Sequence, residues 1–160
     1  MSCMLFRVKV YLVYAVALLL STQCRVLSEE WEGKCVGVAD GDTIRVMNGG
    51  VEVKVRVYGV DCPEKGQPYG QRAKQFTSAM VYGKHVRVTA KNKDRYGRTV
   101  ALIAVDGQCL SRSLVESGFA WVYARYCAEP ERGKWQALET AARAEGRGLW
   151  AMAGAQPPWE

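Results

Sequence analysis

The chain has a single histidine, His85, and no Cys-x-x-Cys pair among its six cysteines. Structural zinc needs four nitrogen or sulfur ligands at close spacing, so this composition argues against a zinc-held fold. No internal repeat is visible. Long apolar runs are missing too. The longest, over residues 10–20, falls short of the roughly twenty residues that span a bilayer. Acids are the scarcer charge, 16 Asp and Glu against 22 Lys and Arg, which leaves a formal charge of +6. A basic chain attracts polyanions, although that balance alone does not single out nucleic acid.

At 160 residues there is room for one domain and a modest core. Arg7 and Lys9 precede the apolar run, and Ser21, Thr22, Gln23 and Cys24 follow it. A basic start, a short apolar centre and a small polar end are the pattern of a secretory leader. The expected organisation is a signal peptide over residues 1–24, a polar lead-in over 25–33, one domain over 34–150 and a small-residue and proline tail over 151–160 that is expected to be partly disordered. The product is then exported, secreted or periplasmic, with an uncleaved membrane-anchored form as the alternative. Ser21 and Gln23 fit a lipidation signal at Cys24 poorly. Without the two leader lysine and arginine charges the remainder carries about +4, from 6 − 2. Cys35, Cys62, Cys109 and Cys127 remain in a compartment that permits disulfides, and sequence does not choose among their pairings.

From Lys34 onward the pattern is that of strands. Residues 35–39 form a first strand, and 44–47 a second. Between them Asp40-Gly41-Asp42-Thr43 is a turn in which Gly41 is suited to positive φ. Asn48-Gly49-Gly50 is a hairpin signal. Residues 51–58 then alternate, apolar at odd positions, with Arg56 on the polar face. Pro63 stops that ladder. A helix is expected from Tyr69 or Gly70 to Val81, with Tyr69, Ala73, Phe76 and Met80 on one face and Gly83 at its end. Two further strands, 84–90 and 99–105, flank the cationic connection 91–98. A short helix follows at 109–117, then an aromatic extended stretch at 119–126. A third helix begins at Glu129 or Glu131 and ends near Arg147, with Trp135, Leu138, Ala141 and Ala142 inward. Five short strands and three helices predict an α+β fold, a five-stranded OB-type β-barrel, which binds polyanions on one face.

Chemistry-bearing residues cluster at the ends of these strands. Asp42 and Asp61 offer hard oxygen donors, suited with a backbone carbonyl and waters to Ca²⁺ or Mg²⁺. Glu64, across the Pro63 turn, is placed to orient or deprotonate a water. Arg56 and Arg98 are phosphate-binding forks that stabilise charge growing in a transition state. Lys65, Arg95, Tyr96, Tyr123 and Tyr126 suit a rim in which cations follow a backbone and rings take bases. Each alone also reads as an ordinary turn or surface residue.

Together and in this order, Asp40-Gly41-Asp42-Thr43, Arg56, Asp61-Cys62-Pro63-Glu64, Asp94-Arg95-Tyr96-Gly97-Arg98, Leu114-Val115 and Gly118-Phe119-Ala120 resemble the staphylococcal nuclease (thermonuclease) family. The resemblance spans roughly residues 35–150. It implies a five-stranded OB-fold barrel with three helices and Ca²⁺-dependent endonucleolytic cleavage of DNA and RNA, breaking the P–O5′ bond and leaving 3′-phosphates. It implies that Asp42, Asp61 and the Cys62 carbonyl hold Ca²⁺. By the same likeness Glu64 is the base or water-orienting group, Arg56 and Arg98 bind the scissile phosphate, and Tyr96 and Tyr126 line the nucleotide site.

Three departures stand out. The best-known member of that family has threonine where Cys62 stands, which a backbone ligand tolerates. The loop after Glu64 is shorter, so Lys65 is only a loose substitute for lysines there. A rim tyrosine is replaced by Ala124, with Tyr123 beside it, so base preference does not carry over. A Cys62–Cys127 disulfide is an expectation of the sequence, because Cys127 follows Tyr126. No obligate protein partner is evident and a monomer is expected. The alternative function is a catalytically silent OB-fold module that binds nucleic acid. Retention of Asp42, Asp61, Glu64, Arg56 and Arg98 weighs against it.

Overall fold

A computed structural model of the chain describes residues 29–157 and 159. The expected leader, with Cys3 and Cys24, lies outside the described residues. Among those described, no helix is long and apolar enough to cross a membrane.

Strands β1 (Glu30–Val38), β2 (Thr43–Asn48) and β3 (Val51–Val57) form an antiparallel meander. The β2–β3 hairpin pairs Asn48 with Val51, so Gly49 and Gly50 are its two-residue loop, both at positive φ. A two-residue β4 (Val60–Asp61) and helix α1 (Gly70–Val81) follow. Strands β5 (His85–Lys93) and β6 (Thr99–Val105) form the second hairpin, with β7 (Gln108–Cys109) folding back on β6. Pairing runs β3-β2-β1-β5-β6, and a parallel β3–β6 contact closes the five strands into a barrel. Helix α2 (Leu110–Glu116), strand β8 (Trp121–Val122) and helix α3 (Glu131–Ala144) complete the fold. Strands and helices therefore form the α+β OB-type barrel with three helices that the pattern implied.

Alternation fills the barrel. Ile44 and Val46, Val55 and Val57, Val86 and Val88, and Ala101 and Ile103 are buried on its inner side. Leu110 and Leu114 from α2 and Trp135 from α3 extend the same core. Aromatic contacts tie the helical side to the barrel, with Tyr58 edge-on to Trp135 and Phe76 packed on Phe119.

Several local expectations change. β1 begins at Glu30, ahead of Lys34, so part of the polar lead-in is barrel strand. Glu30 and Glu32 face outward and meet Arg87 of β5 at 3.5 and 3.2 Å. The buried stripe of α1 is Gly70, Ala73, Thr77 and Val81, whereas Phe76 and Met80 are only half-buried. Small residues occupy that stripe because the helix lies close to the 40–43 turn, where Thr77 Oγ1 donates to the Gly41 carbonyl. The aromatic stretch after Gly118 is a short strand followed by a 3-10 turn over Ala124–Tyr126. All four described cysteines are free thiols, so the Cys62–Cys127 link is not formed. Cys62 packs at Gly41 and Cys127 at Gly59, against different parts of the core.

Candidate active site

Three segments meet at one end of the barrel. The 40–43 turn carries Asp40 and Asp42, the β3–β4 segment carries Arg56 and Asp61, and β6 is entered from Arg98. The sheet register brings them together. Thr43 of β2 lies opposite Arg56 of β3, and Arg56 pairs with Val100 across the parallel contact. Gly41 does not take positive φ here. It is small because its neighbours are close: a Cβ would stand 2.7 Å from the Cys62 Cβ and 2.9 Å from the Ala73 Cβ. Gly70 lets the start of α1 lie against the Pro63-Glu64 backbone in the same way, since a Cβ there would meet the Glu64 carbonyl oxygen at 1.9 Å.

Arg56 is the hub. Its Nη1 lies 2.9 Å from Asp42 Oδ2 and donates to the Val60 and Val57 carbonyls at 3.0 and 3.3 Å. Its Nη2 is bonded to Asp61 Oδ1. The polar face of β3 is thus not wet at this point, because the Arg56 side chain is largely buried. Asp42 is itself buried, 6% exposed, and its Oδ2 accepts the Cys62 backbone N–H at 2.7 Å. Burial pushes its carboxyl up to about 8. Arg56 opposes that rise and the Asp40 charge adds to it. Asp61 moves the same way: burial raises it, Arg56 lowers it, and Glu64 and Asp40 raise it further. Asp40 is the participant that sequence reasoning treated only as a turn acid. Its Oδ1 accepts the Asp42 N–H at 3.2 Å, which shapes the turn, and its charge acts on both Asp42 and Asp61.

The donor set fits a hard dication. Two carboxylates converge closely enough for one guanidinium to span them, and burial is the main reason that both carboxyls rise. Both donors are oxygen, as Ca²⁺ and Mg²⁺ prefer. The Cys62 thiol contributes nothing to such a set. It is buried, and burial pushes its pKa well up. Among the described residues no three acid, histidine or cysteine side chains stand together as a ready metal shell, so backbone and water oxygens must complete it.

Glu64 stands apart in environment. It is exposed, close enough to Asp61 to raise it, and held by its backbone, whose N–H donates to Gln67 Oε1 at 2.8 Å. Arg98 enters from the other side. Asp94 Oδ2 accepts from Arg98 Nε at 2.6 Å, while Asp94 Oδ1 accepts the Tyr96 and Arg98 backbone N–H groups. Burial works against the charge on Asp94, yet the Arg98 and Tyr96 bonds hold its carboxyl below the ordinary range. Asp94 takes the Nε edge of Arg98 and leaves the Nη atoms, one of which points to Thr43 Oγ1 at 3.5 Å.

The structure therefore joins Asp42, Asp61, Cys62, Arg56 and Arg98 in one network and sets Glu64 at its edge. Tyr96 is 67% exposed on the β5–β6 turn, with the Arg95 and Arg98 guanidiniums over its ring at 4.8 and 5.4 Å. Tyr126 is exposed in the 3-10 turn after β8, and Lys65 is exposed beside Glu64. Neither makes a side-chain hydrogen bond or ion pair to the network among the described residues. The two evident clefts do not coincide with this cluster. One lies at Tyr123 and Arg143, the other beside Pro63 and Leu149. Converging charge, rather than cavity shape, marks the site.

A closed five-stranded barrel thus carries an acidic pair, an exposed glutamate and two arginines at one end. The profile of the family described as "Staphylococcal nuclease homologue" matches residues 54–152. A protein of Escherichia coli O157:H7 named "Uncharacterized endonuclease" is 40% identical over 135 residues, 84% of this chain and 86% of its own. "Micrococcal nuclease" of Shigella flexneri is 35% identical over 140 residues, 82% of this chain and 80% of its own. The chain belongs to the staphylococcal nuclease family.

Proposed function

We propose that the chain is a Ca²⁺-dependent endonuclease that hydrolyses phosphodiester bonds of DNA and RNA and leaves 3′-phosphate ends. It acts as an exported monomer without an obligate protein partner. The observation that supports the reading best is the Arg56 guanidinium spanning Asp42 and Asp61, with Arg98 joined through Thr43. Similarity to the proteins named above favours nuclease chemistry.

Asp42, Asp61 and the Cys62 carbonyl would hold Ca²⁺, which when bound offsets phosphate charge and polarises the phosphoryl group. Glu64 orients or deprotonates the attacking water, and its exposure keeps it reachable. The water oxygen bonds to phosphorus as the P–O5′ bond breaks, the water's proton passes to Glu64 or to solvent, and the departing 5′-oxygen takes a proton from solvent water. Arg56 and Arg98 fork the non-bridging oxygens and stabilise the charge that grows on them. Tyr96, Tyr126, Arg95 and Lys65 line the strand on either side. Export is supported by the leader pattern over residues 1–24.

End-group analysis tests the polarity of cleavage. Fragments should resist extension by a polymerase until a phosphatase removes the 3′-phosphate. Fragments that extend without that treatment would contradict the proposed bond.

A further inference from the structure

The Glu64 side chain is exposed, and among the described residues its carboxylate makes no hydrogen bond or ion pair. Where that carboxylate stands therefore depends on the backbone beneath it. Packing supports the backbone poorly on one side. A cleft of about 250 Å³ lies behind the loop, between Pro63, Gln67 and Pro68 on one wall and Trp121, Leu149 and Met152 on the other. The loop has to be held from within.

Two bonds in opposite directions do this. The Glu64 backbone N–H donates to Gln67 Oε1 at 2.8 Å, and the Gln67 backbone N–H donates to the Glu64 carbonyl at 2.8 Å. A glutamine that reaches back three residues to a main-chain N–H is the side-chain half of a capping box. Only the oxygen of its amide can accept that bond, so the Gln67 side chain is oriented by it. The Gln67 carbonyl then accepts the Gly70 N–H at 3.0 Å, where α1 begins. Tyr69, between them, sits at a φ of 64°. That region is costly for a bulky side chain and persists where surrounding bonds fix the chain. Pro63 and Pro68 fix φ on either side of the turn. Among the described residues Gln67 is the one residue whose side chain bonds the main chain of Glu64.

We infer that Gln67 is a positioning residue for Glu64: its side-chain oxygen closes the turn from which the Glu64 carboxylate reaches the attacking water. Gln67 makes no hydrogen bond to Arg56, Asp42 or Asp61 among the described residues, so it acts on the reaction through Glu64 alone. Its loss belongs in turnover and leaves strand binding in place. The inference rests on the nuclease reading, which gives Glu64 its task.

The test measures kcat and KM of the full-length protein on a single-stranded DNA oligonucleotide in Ca²⁺, with thermal melting by circular dichroism to confirm that each variant is folded. Gln67→Met keeps the side-chain length and removes the oxygen. It should lower kcat about ten- to a hundredfold, as a misplaced catalytic group does, with KM within about twofold of the parent. Gln67→Glu keeps an acceptor at the same reach and should retain most of the parent's kcat at saturating strand. In a Glu64→Gln background, Gln67→Met should cost less than about twofold more, because residues that act as one unit are not additive. If the parent cleaves and folded Gln67→Met turns over as the parent does, the positioning role is overturned and the nuclease reading stands. The same factor lost with and without Glu64 would also overturn it, since Gln67 would then act by another route. A folded parent without Ca²⁺-dependent cleavage would remove both claims.

Discussion

Glu64 and Asp61 carry the same charge three residues apart, and their surroundings set them different tasks. Asp61 is drawn into the barrel by Arg56, where burial raises its carboxyl. Glu64 is left in water by the Pro63 turn. The first suits a ligand to a cation, the second a partner to water. Glu64→Gln should therefore cut turnover by about 10²–10⁴-fold, with Ca²⁺ binding by calorimetry little changed. Equal turnover would take Glu64 out of the mechanism. Gly41 matters through space. An alanine there would meet the Cβ atoms of Cys62 and Ala73 at under 3.0 Å, and neither can swing aside. Gly41→Ala should destabilise the fold by about 1–3 kcal/mol in chemical denaturation, the usual effect of overpacking. Sequence reasoning found the glycine but gave it the wrong reason. Turn chemistry is written locally, whereas the approach of residues 62 and 73 is not.

At the level of elements, β8 and α3 are joined by the Val122 N–H donating to Glu139. Burial raises the Glu139 carboxyl, with that bond and Arg143 opposing the rise. A folded-state pKa above the unfolded value means that protonation favours the fold. Its stabilising contribution is complete below the ordinary 4.5 and is lost as pH rises through the folded-state value. Glu139→Gln keeps the acceptor and removes the charge. Its stability relative to the parent should climb as pH rises from about 4 and then level off, measured by denaturant titration at stepped pH. A pH-independent difference would contradict this. Strand identity was largely legible, because alternation in 51–57 and 99–105 is a direct image of one buried face. The start of β1 was not. Glu30 and Glu32 look like a loop until Arg87 and Thr89 of β5 stand beside them, and those partners are more than fifty residues away. The inner face of α1 was shifted for a similar reason. Thr77 is inward because Gly41 offers it a carbonyl.

For the whole molecule, the site is a consequence of closure. Arg56 and Arg98 come from different hairpins and are brought together by the parallel β3–β6 contact. The five charged residues were legible because each sits in a short motif. Their network was not, since Asp40 reaches Asp61 only through space and the cysteines expected to bridge pack apart. Trp159, in the C-terminal tail, is seated on Tyr123 through a contact between distant parts of the chain. The central claim is that this one end of the barrel cuts nucleic acid with Ca²⁺. Digestion of a closed circular plasmid and of single-stranded DNA by the folded protein, in Ca²⁺, in Mg²⁺ and in chelator, tests it most directly. Cleavage of both substrates with Ca²⁺, abolished by chelator, is the predicted result. Folded protein that leaves both intact in Ca²⁺ would contradict the account.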